Sequence, residues 1–387
     1  MRILVASHTY IVDLNCQKLR ALAQLGAEVV AVVPQHWQPG GVQNRLVQAQ
    51  PLQEGNFRRI PIANWSQNNQ GLLTFKFGII PLLRRFRPQI MQVEQGAKAL
   101  GYSQLITLNA LLGLRAKNCF FTWWNLPYTN TFPVSLLERY NLANTQGLVA
   151  GNQDGLEILR QHGYRRAATV LPQLGVDETI FQPEPQPKLR DQLGIPPEQF
   201  VVGFVGRFVI EKGLITLVQA LAGLQEQAWT LLLLGRGIIK EELQQLAQTL
   251  GISDRLRWVE SVPHDQVPRY INVMNALVLP SETDTQFQTL TASGWKEQFG
   301  HVLIEAMACR VAVVGSDSGE IPHVIGEAGL VFPEAQPDTL RDRLAQLMQQ
   351  PALAQDLGER GYQRVQERYT NTAIARQQLA FYQQLWR

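Results

Sequence analysis

Short, wholly apolar runs recur along the chain, separated by stretches that read as helices. Ile3–Ala6 is one such run and Glu28–Val33 the next, and between them Leu14–Leu25 reads as a helix stopped at Gly26. Ile90–Glu94, Cys119–Thr122 and Gly147–Ala150 continue the series of strands. Residues 182–200 break the rhythm with Pro183, Pro185, Pro187, Pro196 and Pro197, a density that predicts a linker. Beyond it the alternation restarts. Strands Val201–Val205, Trp229–Leu234, Leu256–Val259, Ala276–Leu279 and Val311–Val314 are interleaved with helices Leu214–Leu224, Lys240–Leu250 and His301–Cys309. This is the rhythm of parallel sheets with crossover helices, and it predicts an α/β protein of two Rossmann-like domains. The expected division is 1–182, 183–370 and a helical tail, 371–387, with no closing strand. A length of 387 residues suits two such domains of roughly 180 residues better than one core.

Charge is unevenly spread. Residues 1–180 carry 17 Lys and Arg against 9 Asp and Glu, whereas the remainder carries 18 against 23. A basic first half predicts either an anionic partner, such as a phospholipid surface or a phosphate-bearing acceptor, or simply a solvated basic surface. Leu72–Arg87 starts apolar and ends basic. It reads as a buried crossover helix whose Arg84, Arg85 and Arg87 complement the C-terminal dipole, in preference to a segment lying on an anionic membrane. Pro81 argues against one long surface helix there. The cysteines Cys16, Cys119 and Cys309 are odd in number and far apart, so neither a disulfide framework nor a metal spacing is expected, and a reducing cytosol is the simplest setting. The opening apolar run is too brief for a signal peptide, and no stretch approaches the roughly 20 apolar residues of a membrane span. The expectation is a cytoplasmic protein, at most peripheral on the inner membrane face.

Two motifs in the second half carry chemistry. The first, Gly206-Arg207-Phe208-Val209-Ile210-Glu211-Lys212-Gly213, follows a strand and leads into a helix. Backbone N–H groups and the helix dipole supply partial positive charge there, and Arg207 and Lys212 supply whole charges, a combination suited to a diphosphate. The second runs from Glu297 through Gln298, Phe299, Gly300, His301 and Val302 to Glu305. Gly300 permits a tight turn and the helix begins near His301, so Glu297 lies in the preceding loop and Glu305 faces inward along the helix. Two carboxylates at different depths can hold the hydroxyls of two sugars, and the amides at Gly300 and His301 are a second candidate phosphate cradle.

These residues resemble the retaining glycosyltransferases of family 4 (group 1), with the twin-Rossmann GT-B fold in which two domains face across a cleft. The resemblance covers most of the second domain. It includes Leu234-Gly235-Arg236-Gly237, Ser261-Val262-Pro263-His264-Asp265, Leu279-Pro280-Ser281, the Glu297/Glu305 pair and Ser316-Asp317-Ser318-Gly319-Glu320-Ile321-Pro322. In the first domain only Leu171–Asp177 with Phe181 matches. The resemblance implies that Gly206, Arg207 and Lys212 meet the donor diphosphate, Glu305 the ribose and Glu297 the transferred sugar. Backbone groups around Glu260, Ser261 and Val262 would meet the base, with Phe299, Gly300, His301 and Val302 completing the donor site. It also implies that the terminal helix crosses back to the first domain. Catalysis would rest on Arg207, Lys212 and Glu297.

The chain departs from the pattern at several points. Where a histidine is usual after a middle strand of the first domain, this chain has Trp124, followed by Asn125. The usual glycine-rich loop after the first strand is replaced by His8-Thr9-Tyr10-Ile11-Val12-Asp13. His8, Asp13, Asn15, Trp124 and Asn125 are therefore the acceptor-side or sugar-side candidates, although Asp13 also reads as a plain helix cap. The stretch Glu282–Trp295 is long enough to reshape the donor pocket. Arg310 stands where glycine usually ends the helix, and a left-handed conformation there would cost about 1 kcal/mol. His264, His301 and His323 read as structural or solvent-facing.

The expected reaction uses a nucleotide sugar, UDP-linked before GDP-linked, and a saccharide or lipid-linked glycan acceptor, in cell-surface or exopolysaccharide synthesis. No Asp-x-Asp motif is present, so neither metal nor cofactor is expected. The absence of Gly-x-Gly-x-x-Gly after the opening strands disfavours a nicotinamide oxidoreductase. Dispersed arginines without an aromatic platform disfavour nucleic acid. A non-catalytic nucleotide-sugar binder, or another GT-B enzyme such as an epimerase, is the alternative.

Overall fold

The computed structural model describes residues 1–38, 45–288 and 293–387. The chain divides into two units, Met1–Gly175 with Asn371–Arg387, and Val176–Thr370. In the first, β1 (Arg2–Ala6), β2 (Glu28–Pro34), β3 (Leu52–Glu54), β4 (Phe57–Ile62), β5 (Ile90–Val93), β6 (Lys117–Thr122), β7 (Gly147–Ala150) and β8 (Ala167–Val170) form one sheet. Its order is β8-β7-β6-β5-β1-β2-β4-β3, parallel throughout except for the antiparallel β3 at the edge. β1 and β2 are covered on both faces, which is why they read as unbroken apolar runs. Ile3 and Val5 pack with Leu19, Leu22, Phe381 and Tyr382 on one side. Leu4 and Ala6 pack with Phe75, Leu83 and Tyr102 on the other. The terminal helix Asn371–Trp386 thus contributes to the core of the first unit.

Two local expectations are corrected here. Residues 14–25 are not one helix: turns of 3-10 helix at Thr9–Ile11 and Asp13–Cys16 precede an α-helix confined to Gln17–Gln24. Asp13 does not cap it, because its carboxylate is taken by Arg20 at 3.0 Å and Arg59 at 3.1 Å. In the 72–87 segment the helix spans only Ile79–Phe86, with Ile79, Leu83 and Phe86 buried and Arg84 and Arg85 in its last turn. Leu72 ends a separate 3-10 turn capped by Asn69, and Leu72 and Phe77 are exposed instead of buried.

In the second unit, β9 (Phe200–Arg207), β10 (Trp229–Arg236), β11 (Leu256–Val259), β12 (Ala276–Leu279), β13 (Ala312–Ser316) and β14 (Leu330–Phe332) form a parallel sheet. Its order is β11-β10-β9-β12-β13-β14. The order reverses between β9 and β12, the position at whose carboxyl edge open α/β sheets accept ligands. This unit begins before the proline-rich segment. The Val176 N–H donates to the Tyr369 carbonyl at 2.9 Å, and the Phe181 ring lies 5.2 Å from that of His264. Pro187 opens the helix Pro187–Gln192 in place of marking a bare linker. Arg310 does take the left-handed conformation, φ 57°, with its guanidinium on Glu359 at 3.0 Å and 4.3 Å over the Tyr362 ring.

Candidate functional site

The carboxyl ends of β9 and β12 bring the two motifs of the second unit together. Arg207 is the last residue of β9, 65% exposed at its side chain and 3.6 Å from Glu211. A 3-10 turn, Ile210–Lys212, follows and ends at Gly213 with φ 64°. A Cβ on Gly213 would stand 1.8 Å from the Pro280 carbonyl oxygen, so only glycine lets this turn press against the chain leaving β12. That close approach places Lys212 beside Glu297: Nζ lies 2.5 Å from Oε2. The Ser281 hydroxyl donates to the same oxygen at 2.8 Å, and the Lys212 ammonium lies 4.9 Å from the centre of the Trp295 ring. Both charged side chains are largely covered, 15% and 10% exposed, which strengthens their attraction relative to a surface pair. The Glu297 backbone is held too. Its carbonyl accepts the Glu320 N–H at 3.2 Å, and a Cβ on Gly319, φ 55°, would stand 1.9 Å from that carbonyl oxygen.

The helix His301–Ala308 starts from Gly300, φ 83°, with no side-chain cap on its first amides. Glu305 lies on it, mostly covered, and its Oε1 is 3.2 Å from His264 Nε2. Hydrogen bonding to Glu305 raises the His264 pKa, against a smaller lowering by burial. His264 is solvent-facing, as expected, and is also a partner of a candidate site residue. His301 and Tyr369 ring-pack on buried Phe299. Glu260, after β11, reaches Lys240 at 4.0 Å and is mostly exposed; Ser261 is exposed and Val262 partly buried. Of the long stretch Glu282–Trp295, residues 289–292 lie outside the described residues. At its start, Glu282 Oε1 accepts the Thr216 hydroxyl at 2.5 Å and its N–H donates to the Glu211 carbonyl. Ser281, which follows β12 in the Leu279-Pro280-Ser281 motif, joins the site through its bond to Glu297.

The first-unit candidates are differently placed. His8 packs on Trp37 with ring centres 4.7 Å apart, and burial pushes its pKa down to about 4, with Glu94 opposing. Asp13 is engaged by Arg20 and Arg59, and the Asn15 amide donates to the Thr9 carbonyl at 3.0 Å. The Trp124 indole N–H donates to the Leu126 carbonyl at 2.6 Å, so its single polar group is used locally. Lys98 lies 4.9 Å from the Trp124 ring and 3.7 Å from that of Tyr128. Asn125 is buried.

Residues 185–364 match the model of the family described as glycosyl transferases group 1. A D-inositol 3-phosphate glycosyltransferase of Streptomyces bingchenggensis is 27% identical over 231 residues, which are 56% of this chain and 47% of that protein. The N-acetyl-alpha-D-glucosaminyl L-malate synthase of Bacillus anthracis is 29% identical over 210 residues, 54% of this chain and 51% of that protein. The chain thus spans about half the length of the curated relatives it matches. Among solved structures, sucrose-phosphate synthase from Thermosynechococcus elongatus has a TM-score of 0.70 at 20% identity, over 100% of this chain and 99% of that one. Anabaena HepE, solved in complex with UDP, has a TM-score of 0.70 at 16% identity, over 99% of each chain. At these identities the likeness establishes the fold, which is GT-B with two Rossmann-like domains.

Proposed function

Because residues 185–364 match the model of the glycosyl transferases group 1 family, we propose that the chain is a retaining glycosyltransferase moving a sugar from a nucleotide-sugar donor to a saccharide or lipid-linked glycan. The observation that carries this reading is the meeting of Lys212 with Glu297 at the carboxyl ends of β9 and β12, with Arg207 closing the same strand end. Arg207, Lys212 and the amides opening the helix Leu214–Ala222 take the diphosphate. Glu305 takes the ribose hydroxyls and Glu297 the transferred sugar, while backbone groups of Glu260–Val262 meet the base. A carboxylate on the sugar side of Lys212 holds the ammonium in place before the diphosphate arrives, so little reorganisation is needed when it does.

In transfer, the bond between the anomeric carbon and the phosphate oxygen breaks, and negative charge gathers on the leaving diphosphate. In this reading Arg207 and Lys212 stabilise it, each such preorganised donor being worth about 2.7–4 kcal/mol. The acceptor hydroxyl attacks from the same face and passes its proton to the leaving phosphate oxygen, so no enzyme nucleophile is required. The cations of the chain carry this charge without a metal or cofactor. UDP-sugars are the favoured donors, in line with HepE structures titled as complexes with UDP and UDP-glucose, and GDP-sugars come next. The first unit receives the acceptor, with His8, Trp124 and Asn125 at its strand ends. The setting is the cytoplasm, with peripheral contact at the inner membrane face, in cell-surface or exopolysaccharide synthesis.

A thermal-shift panel of UDP-, GDP- and ADP-sugars tests the donor site, since a ligand bound only by the native state raises Tm with concentration. Nucleoside diphosphate release is then followed with and without a glycan acceptor. No shift from any donor, or release that never depends on acceptor, overturns the proposal.

A further inference from the structure

We infer that a face of the first unit built from Trp65, Leu72, Lys76, Phe77 and Arg84 docks on an anionic lipid bilayer, with an acyl chain entering the cavity beside Phe77. This deepens the membrane-contact part of the reading above and does not depend on its chemistry. Phe77 is 82% exposed, Trp65 66% and Leu72 53%, so three large apolar side chains stand in solvent within a short span of chain. Beside them opens a cavity of about 410 Å³, lined by Trp65, Phe75, Phe77, Ile80, Leu100 and Leu108 among others. Its wall is braced: the Gln104 side-chain amide donates to the Phe75 carbonyl at 2.6 Å and its oxygen accepts the Phe75 N–H at 2.8 Å. The opening therefore does not need a rearrangement of Phe75 to form.

Charge identifies the occupant. From Gly55 to Leu137 the sequence holds nine Lys and Arg and a single carboxylate, Glu94. That carboxylate is buried, 3.7 Å from the buried Lys18 ammonium, and of the nine cations Arg58 is paired with Glu28 and Arg59 with Asp13, which leaves Lys76 and Arg84 exposed beside the apolar patch. Lys76 stands 4.7 Å from the Trp65 ring centre, keeping its charge at the edge of the apolar patch. On the short helix, Ile80 lines the cavity and Arg84, one turn on, lies on the same stripe and is exposed, with exposed Arg85 beside it. Apolar side chains that enter the acyl boundary, flanked by cations at headgroup level, are what an interfacial protein presents to acidic lipid. A second copy of the same face would set these cations against one another, because a two-fold interface repeats each patch opposite itself.

The test is flotation of the full chain with vesicles of phosphatidylglycerol and phosphatidylcholine, against phosphatidylcholine alone. Wild type is expected to float with the acidic vesicles and to stay behind with the neutral ones. Trp65→Ser with Phe77→Ser should weaken binding about tenfold or more. Lys76→Gln, Arg84→Gln and Arg85→Gln should each cost about fivefold, roughly a hundredfold together. All these side chains are exposed, and the Tm and donor-induced thermal shift of each variant should match wild type. Absence of wild-type binding to acidic vesicles overturns the inference. So does equal binding by the serine variant, or a dimer in sedimentation that the same substitutions dissolve. Vesicle binding without any donor-induced shift would sink the transferase reading and leave the docking face standing.

Discussion

Two parallel sheets in one chain place opposite kinds of chemistry at their carboxyl edges. In the second unit the charges are paired and graded in exposure: Arg207 stands in solvent, the Lys212–Glu297 pair is largely covered, and Glu305 meets a half-exposed His264. In the first, the carboxylate after β5, Glu94, is buried in a closed network. It accepts the Tyr10 hydroxyl at 3.0 Å, the Gln92 amide at 2.8 Å and the Gln173 amide at 2.7 Å, with Lys18 nearby. Gln92 in turn accepts the Tyr382 hydroxyl from the terminal helix, and Gln173 accepts the Trp123 indole N–H. The same topology thus yields one edge that carries a solvent-exposed cation, Arg207, and another whose central carboxylate, Glu94, holds the fold. Topology locates an edge; only the hydrogen-bond partners say whether it is spent on structure or on binding.

That contrast can be broken most forcefully at Glu94. Glu94→Ala strands a buried ammonium and should cost about 3–5 kcal/mol of stability by urea denaturation. A change under about 0.5 kcal/mol would mean the network is not structural. In the other unit the corresponding loss should be chiefly kinetic. Lys212→Ala should lower turnover roughly 100- to 1000-fold and, by leaving the largely covered Glu297 carboxylate without its ammonium, should also lower Tm; activity within a few-fold of wild type would remove the diphosphate assignment. Acid should single out the first unit through His8. Its native pKa of about 4 lies below the usual 6.5, so the unfolded chain binds a proton first as pH falls. His8 should thus erode stability between about pH 6.5 and 4, by up to about 3 kcal/mol, and His8→Gln should flatten that slope.

Smaller effects sharpen the second unit. Glu305→Ala should weaken nucleotide binding about tenfold by calorimetry, the scale of a hydrogen bond to a charged group. An unchanged Kd would remove its ribose role. The slightest effect belongs to His264, whose native pKa is raised. Its ion pair with Glu305 is fully formed below the ordinary value of about 6.5 and fades as pH rises past it. Because His264 is half exposed, solvent screening keeps this contribution under about 1 kcal/mol. The pH dependence of Tm just above neutrality, in wild type and His264→Gln, measures it.

The legible parts of this molecule were those that depend on neighbours in sequence. Unbroken apolar runs marked the central strands because those strands are covered on both faces, and Gly300 marked a turn that needs its backbone freedom. Arg207, Lys212, Glu297 and Glu305 were found through order and spacing within a family resemblance. What escaped were partnerships across long separations. His264 meets Glu305 because a 3-10 turn after Pro263 carries it there, and no periodicity encodes that. Asp13 looked like a cap because sequence shows the residues beside it, whereas Arg59 arrives from a different strand. The start of the second unit lay hidden for the same reason: the bond from Val176 to Tyr369 joins segments far apart in the chain. Exposure of Phe77 was equally unreadable, since its helix begins only at Ile79.

The allocation of Asn371–Arg387 to the first unit has a consequence for synthesis on the ribosome. The second unit is one continuous segment and can complete its core while translation is still under way. The first cannot: the surface over Leu19, Leu22 and Cys119 waits for Ala375, Phe381 and Tyr382, which are translated long after the rest. A stalled or clipped product lacking that helix would carry a finished second unit and an open apolar flank on the first, the kind of surface that chaperones and proteases recognise.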